Sequence, residues 1–156
     1  MYKKPARTIL IVEDDADTRD VVGRLLSGAG YNVRVAANGW EGLLALENHV
    51  DLVLLDIMLP GMDGVAFLNS LRRQKNCATI PVVVMTALDV ADAAARVHGL
   101  GVRHILPKGR LLYPRINDAL KRLLGSPEHP YHVRMPPTGN TTAPYLDVYL
   151  RMLAWD

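Results

Sequence analysis

The chain has 156 residues, of which 49% are hydrophobic and 22% charged, and its 18 basic and 16 acidic residues leave a net charge of +2. This balance supports a buried core of ordinary size and disfavours intrinsic disorder, a nucleic-acid-binding arm and a polyanionic tail. The single cysteine, Cys77, excludes an internal disulfide and suits a reducing compartment. Because no apolar run is long enough for a signal peptide or a membrane span, we expect a soluble, cytoplasmic protein.

Five short apolar runs predict β-strands. Their β-branched and leucine residues are continuous rather than alternating, which is typical of strands that are buried on both faces. The runs are residues 8–12, 33–36, 52–55, 81–85 and 102–106.

Amphipathic segments with apolar residues at helical spacing follow each of these runs. Their apolar positions are Val21, Val22, Leu25 and Leu26; Leu43, Leu44 and Leu46; Val65, Phe67, Leu68 and Leu71; residues 90–97; and Ile116, Leu120, Leu123 and Leu124. Five strands that alternate with five helices predict right-handed crossovers and a parallel sheet between helices, which is an α/β fold.

The composition changes after Gly125. The last 31 residues contain five of the ten prolines and three of the six tyrosines. Residues 126–142 predict an extended linker, and residues 144–155 predict a short helix that is apolar nearly all round and must be buried. We therefore expect a domain at residues 1–125 and a C-terminal extension at 126–156 that is too short to form a second core.

Polar side chains stand where four of the predicted strands end. The first strand is followed by Glu13 and Asp14, the third by Asp56, the fourth by Thr86 and the fifth by Lys108. Ligands of an open parallel sheet collect at the carboxyl ends of its strands. These five side chains are therefore expected to converge at one edge of the sheet.

The chemistry of this set favours a phosphoryl-transfer site. Three carboxylates held close together repel one another, and a divalent cation removes that conflict. Oxygen ligands alone favour Mg²⁺, which also accepts a phosphate oxygen as a ligand. A carboxylate beside Mg²⁺ is a plausible nucleophile toward phosphorus, while Lys108 and the Thr86 hydroxyl can hold phosphoryl oxygens.

Each of these residues also has an ordinary structural interpretation. An aspartate at a strand end is most often solvated or caps the next helix, and Asp15 and Asp17 are expected to do so because they open the first helix. This interpretation explains poorly why such polar side chains stand at the ends of four separate strands.

Four segments of the sequence resemble the receiver domain of bacterial two-component response regulators. They are residues 9–15, 56–64, 84–87 and 107–108. The resemblance extends over roughly residues 6–125, and the spacings of 42 residues from Asp14 to Asp56, 30 to Thr86 and 22 to Lys108 support it. It implies a flavodoxin-like, doubly wound sheet of five parallel strands in the order 2-1-3-4-5 with five helices.

The resemblance also implies a role for each site residue. Asp56 is the phosphoacceptor, Thr86 the switch hydroxyl and Lys108 the residue that holds the phosphate. The implied donor is a sensor histidine kinase or a phosphotransfer protein.

A magnesium site is implied at the same place. Asp14 and Asp56 bind Mg²⁺ directly, Glu13 acts mostly through water, and the backbone carbonyl of Met58 completes the ligands from the protein.

The chain departs from the family pattern after the fifth strand. The family usually has Lys-Pro there with a cis peptide bond, whereas here Pro107 precedes Lys108 and Gly109 follows it. A cis bond after Lys108 costs about 3 kcal/mol because the next residue is not proline. We therefore expect trans bonds both there and between Leu106 and Pro107.

Two further departures concern the conformational switch and the lifetime of the phosphorylated state. The aromatic switch residue of the family is replaced by Ile105, next to which His104 is a possible substitute. Met58 and Leu88 occupy the positions that flank the phosphoryl group, where polar residues in relatives guide an attacking water. Two apolar residues predict a long-lived phosphorylated state.

Three functions are therefore open from the sequence. The first is a receiver without enzymatic turnover that accepts a phosphoryl group and signals through altered protein contacts, with no direct DNA binding. The second is a phosphorylation-independent dimeric scaffold that uses residues 126–156, and the third is a Mg²⁺-dependent hydrolase of small phosphates. The apolar extension favours a homodimer in which each tail reaches its neighbour, and packing of the tail on its own domain is the alternative.

Overall fold

The computed structural model describes residues 5–126, in which five strands and five helices alternate. The strands are β1 (Thr8–Val12), β2 (Asn32–Ala36), β3 (Leu52–Asp56), β4 (Val82–Thr86) and β5 (Val102–Pro107). The helices are α1 (Ala16–Gly28), α2 (Gly39–Ala45), α3 (Gly64–Arg73), α4 (Val90–Val97) and α5 (Leu112–Leu124). The linker and helix predicted for the C-terminal extension lie outside the described residues.

The five strands form one parallel sheet in the order β2-β1-β3-β4-β5. This order confirms the flavodoxin-like, doubly wound fold. The order reverses between β1 and β3, which places the loops after these two strands side by side at the carboxyl edge of the sheet.

Helices cover both faces of the sheet. On one face, Val22 of α1 and Ile116 of α5 belong to the same buried cluster. On the other face, Leu46 at the end of α2, Phe67 of α3 and Val97 of α4 pack together. The helical spacing thus predicts the packed sides of α1, α3 and α5, whereas Leu44 of α2 and Val90 of α4 are 64% and 41% exposed.

The edge strands correct one prediction. Every residue of β1, β3 and β4 is buried, as the continuous apolar runs predict. Strands β2 and β5 are partly exposed instead, and Val35 of β2 is 54% exposed. The reason is their position, since each pairs with a single neighbour and its outer side has less cover.

Acidic or amide side chains cap four of the five helices in residues 5–126, whereas α5 has no side-chain cap. The carboxylate of Asp15 accepts a hydrogen bond from the backbone N–H of Thr18, and Asp63 accepts one from Ala66 at the start of α3. Asp17 lies exposed in the first turn of α1. The expected capping role is therefore confirmed for Asp15, and such caps contribute about 1 kcal/mol each.

Gly64 lets α3 begin in direct contact with the end of β3. Its N–H donates to the carbonyl of Ile57 at 2.9 Å. A Cβ atom at this position would stand 2.6 Å from the Ile57 Cα and 2.8 Å from its carbonyl oxygen. Only glycine therefore fits here without moving the backbone that follows Asp56.

Arg72 binds the loops at the end of the sheet where β4 and β5 begin. Its guanidinium donates to the carbonyls of Ala78 and Ile80 before β4, at 3.1 and 2.7 Å. It also donates to Leu100 and Gly101 before β5, at 2.9 and 3.1 Å. One partly buried cation thus joins two connecting segments to α3.

The peptide bonds around Lys108 are trans, as expected, and no cis bond occurs within residues 5–126. Gly109 has a φ of +144°. Proline is confined to a φ near −65°, so the proline of the family pattern does not fit this backbone. None of the helices in residues 5–126 combines the length and the apolarity that crossing a membrane requires.

Candidate functional site

Four strand ends meet at the carboxyl edge of the sheet. Glu13 and Asp14 follow β1, Asp56 ends β3, Thr86 ends β4, and Lys108 follows β5. The backbone N–H of Lys108 donates to the carbonyl of Thr86 at 2.7 Å, which extends the pairing of β4 with β5 up to the lysine. The structure therefore brings together the residues that the sequence analysis selected.

Lys108 lies between two buried carboxylates. Its Nζ is 2.8 Å from Oδ2 of Asp56 and 2.8 Å from Oε2 of Glu13. Glu13 is fully buried and Asp56 is 4% exposed, so little water competes for these contacts. The lysine thereby links β5 to both β1 and β3.

Three carboxylates form a group that fits a divalent cation. Oxygen atoms of Glu13, Asp14 and Asp56 all lie within 4.8 Å of one another. The Oε2 atom of Glu13 is buried and has no aligned hydrogen-bond donor among the described residues, only the ion pair with Lys108. Asp14 is exposed, which leaves one side of the group open to solvent. A set of hard oxygen atoms with an open side suits Mg²⁺.

The electrostatics of the site follow from its burial. Burial raises the pKa of Glu13 to about 7; the Lys108 ammonium opposes this rise, and the negative charge of Asp56 adds to it. For Lys108, burial disfavours the ammonium form, but the bonds to Asp56 and Glu13 outweigh that cost and raise its pKa. At neutral pH the site therefore holds a charged lysine beside a glutamate poised to lose or gain a proton.

Two short loops are tied to the site side chains. The backbone N–H of Met58 donates to Oδ1 of Asp56 at 2.9 Å, and the N–H of Leu88 donates to the hydroxyl oxygen of Thr86 at 2.9 Å. The Met58 side chain is 48% exposed. The residues predicted to flank the phosphoryl group thus stand on loops that are hydrogen-bonded directly to Asp56 and Thr86.

The two residues considered for the switch lie on opposite faces of the sheet. Ile105 pairs with Val84 and packs against the cluster of α3 and α4. His104 pairs with Val83, whose side chain belongs to the cluster of α1 and α5. Because neighbouring residues of a strand point to opposite faces, His104 does not replace Ile105 on the α4 side. The substitution considered from the sequence is therefore not supported by the register.

Arg19 is a site residue that the sequence analysis missed. Its Nη1 donates to the carbonyl of Glu13 at 2.9 Å and to the carbonyl of Asp14 at 3.3 Å. The guanidinium thus fixes the backbone that carries two of the three carboxylates. The only signal in the sequence is an arginine one turn into the helix that follows the acidic pair.

Comparison with known proteins decides the family. The response regulator receiver domain family matches residues 9–112. This chain belongs to that family. Membership of this family is consistent with a role in two-component signalling.

Related sequences and structures agree. Over 93 residues the receiver is 45% identical to the transcriptional regulatory protein HprR of Escherichia coli, covering 59% of this chain and 40% of that protein. It is 38% identical over 117 residues to a cyclic di-GMP phosphodiesterase of Thermotoga maritima, covering 73% of this chain and 31% of that protein. The chain thus spans less than half of the length of these relatives.

Among solved structures, the receiver resembles the chemotaxis protein CheY4 of Vibrio cholerae with a TM-score of 0.72 and 26% identity, covering 77% of this chain and 100% of that one. It also resembles the receiver domain of a histidine kinase of Syntrophus aciditrophicus, with a TM-score of 0.70 and 28% identity over 88% of this chain and 99% of that one.

Proposed function

We propose that this receiver accepts a phosphoryl group on Asp56 in the presence of Mg²⁺, from a sensor histidine kinase or a phosphotransfer protein. The observation that carries this proposal is the contact of Lys108 with both Asp56 and Glu13 inside a group of three carboxylates. A structural ion pair needs neither a third carboxylate nor an open side, whereas phosphoryl transfer uses both.

The side chains divide the chemistry between them. An oxygen of Asp56 attacks phosphorus, and the ammonium of Lys108 then bonds a phosphoryl oxygen as well as the carboxylate. The Thr86 hydroxyl accepts from Leu88, which leaves its own proton free to donate to a second phosphoryl oxygen. Both groups are positioned by the strand ends before any donor arrives.

The magnesium ligands are proposed from the group of three carboxylates and, for the Met58 carbonyl and the water-mediated role of Glu13, from membership of the family. Asp14, Asp56 and the backbone carbonyl of Met58 are the direct ligands, and Glu13 acts mostly through water. When bound, the cation neutralises charge on the phosphoryl oxygens. Arg19 serves the site by holding the backbone of the acidic pair in place.

The affinity for Mg²⁺ is expected to rise with pH up to about 7. Below that value Glu13 takes up a proton, because its pKa is raised to about 7, and a protonated carboxyl group does not stabilise the cation. The affinity should change by up to about tenfold per pH unit below pH 7 and level off above it. Calorimetric titrations with Mg²⁺ between pH 5.5 and 8 measure this slope. The slope should disappear in Glu13→Gln, and a slope unchanged in that variant would contradict the assignment.

The phosphorylated state is expected to be long-lived. Neither Met58 nor Leu88 has a polar side chain that could direct water at the phosphorus, so replacing Met58 by asparagine should speed the loss of the phosphoryl group several-fold. Intact mass measured at intervals after removal of the donor gives both rates. Rapid loss from the unaltered protein would refute this prediction.

Output is proposed to pass through protein contacts in the cytoplasm, without DNA binding and without turnover of a substrate. The extension at residues 126–156 is proposed to form a homodimer by reaching the neighbouring copy. Light scattering of the whole chain measures its molar mass, and a monomer at all concentrations would remove the dimer from this proposal.

The test of the proposal is exposure to acetyl phosphate with and without Mg²⁺, followed by intact mass. A phosphoryl adduct that forms only with Mg²⁺ supports the receiver. No adduct under either condition would favour the phosphorylation-independent scaffold, and turnover of a generic phosphate ester would favour the hydrolase.

A further inference from the structure

Arg96 lies beside the candidate site without belonging to it. It stands in the last turn of α4, is exposed, and its Nη1 lies 3.7 Å from the sulfur of Met58. The backbone of Met58 is in turn bonded to Asp56 at 2.9 Å. Met58 therefore contacts both the Arg96 guanidinium and the proposed phosphoacceptor, Asp56.

The charge of Arg96 is not neutralised by its surroundings. A thioether sulfur is a weak acceptor and carries no charge. No carboxylate within residues 5–126 forms an ion pair with Arg96, although Asp92 precedes it by one helical turn. The guanidinium and its fork of N–H donors thus remain available to an anion.

The net charge of the site indicates a role for the positive charge of Arg96. When all three carboxylates are ionised, they and the ammonium leave the site at −2, which a divalent cation brings to zero. A small acyl phosphate arrives as a dianion, so the site attracts it little through net charge alone. A guanidinium at the rim supplies the missing attraction and matches the geometry of phosphate oxygens.

We propose that Arg96 binds the phosphate of a small acyl phosphate donor such as acetyl phosphate before transfer. This inference rests on the proposed function, since it assigns the donor subsite of the same reaction. In the step that follows, an oxygen of Asp56 forms a bond to phosphorus and the bond from phosphorus to the acetyl oxygen breaks. Acetate leaves with the electron pair, and no proton or further reactant is required.

The test measures the initial rate of adduct formation against acetyl phosphate concentration, with Mg²⁺ and the full chain. Arg96→Ala is expected to raise the apparent KM about three- to tenfold and to leave the rate at saturation within twofold. Arg96→Lys should recover most of the loss, because it keeps the charge. Added salt should raise the apparent KM of the unaltered protein more than that of Arg96→Ala, because salt screens the attraction between the guanidinium and the phosphate.

Arg73→Ala is the matched control. It removes the same charge from the exposed last turn of α3, which lies at the end of that helix away from Asp56. Its KM should not change.

Equal KM values for Arg96→Ala and the unaltered protein would overturn the inference, as would an equal rise in Arg73→Ala. Failure of the unaltered protein to form any adduct is a different result, because it refutes the proposed function itself.

Discussion

Asp56→Asn is expected to abolish the phosphoryl adduct and leave the protein folded. Asparagine has the shape of aspartate, but its amide is not a nucleophile toward phosphorus. Its oxygen can still accept from the backbone N–H of Met58, now 2.9 Å from the carboxylate. The lost charge pairing with Lys108 is offset in part, because the repulsion between Asp56 and Glu13 is removed while Lys108 keeps its ion pair with Glu13. Intact mass after treatment with acetyl phosphate and Mg²⁺ measures the adduct, and circular dichroism measures the fold.

Asp63→Asn is the control for this substitution. Asp63 is exposed at the start of α3, seven residues after Asp56, and asparagine caps helices as well as aspartate does. This variant should form the adduct at the normal rate. An adduct of normal yield on Asp56→Asn would mean that the acceptor is another residue.

Gly64→Ala is expected to lower the free energy of unfolding by about 2–3 kcal/mol, the upper part of the range of about 1–3 kcal/mol for overpacked buried sites. The new methyl group meets backbone atoms of Ile57 at 2.6 and 2.8 Å, and backbone cannot turn aside as a flexible side chain can. Either α3 or the residues after β3 must move. Since Ile57 follows Asp56 directly, the same shift should also slow phosphorylation. Urea unfolding gives the first effect, and the rate of adduct formation gives the second.

Gly28→Ala provides the comparison. Gly28 ends α1, and an added Cβ would have no heavy atom within 4 Å. Alanine is favoured over glycine in helices by about 0.5–1 kcal/mol, so this variant should be as stable as the unaltered protein or slightly more stable. If the two variants unfolded at the same urea concentration, the contact at Ile57 would not be the cause.

The fold was largely predictable because its signals are local. Continuous apolar runs such as residues 52–55 mark central strands wherever they occur in the chain. What the runs do not encode is which strands end at the edges, and Val35 is exposed for that reason. Edge position depends on the pairing of distant segments, which periodicity along the chain does not contain.

The site was predictable in its members and less so in its geometry. The strand ends put Asp56 and Lys108 at one edge, but the sequence does not show that Glu13 is fully buried against the same lysine. Burial raises the pKa of Glu13, and burial depends on tertiary packing. The contacts of Arg19 and Arg96 were missed because a long side chain reaches atoms that its position in the sequence does not indicate.

Because of the four hydrogen bonds of Arg72, we expect the two ends of the sheet to differ in how readily their loops open. The segments before β4 and β5 share one guanidinium, so neither can open without disturbing the bonds of the other. At the opposite edge, the loops of Met58 and Leu88 are bonded to Asp56 and Thr86, the two side chains that the proposed chemistry alters. We therefore expect local fluctuations that follow the reaction to be largest at the end of the sheet that carries these loops. We expect the backbone amides at the other end to exchange their hydrogens more slowly than those of the Met58 and Leu88 loops.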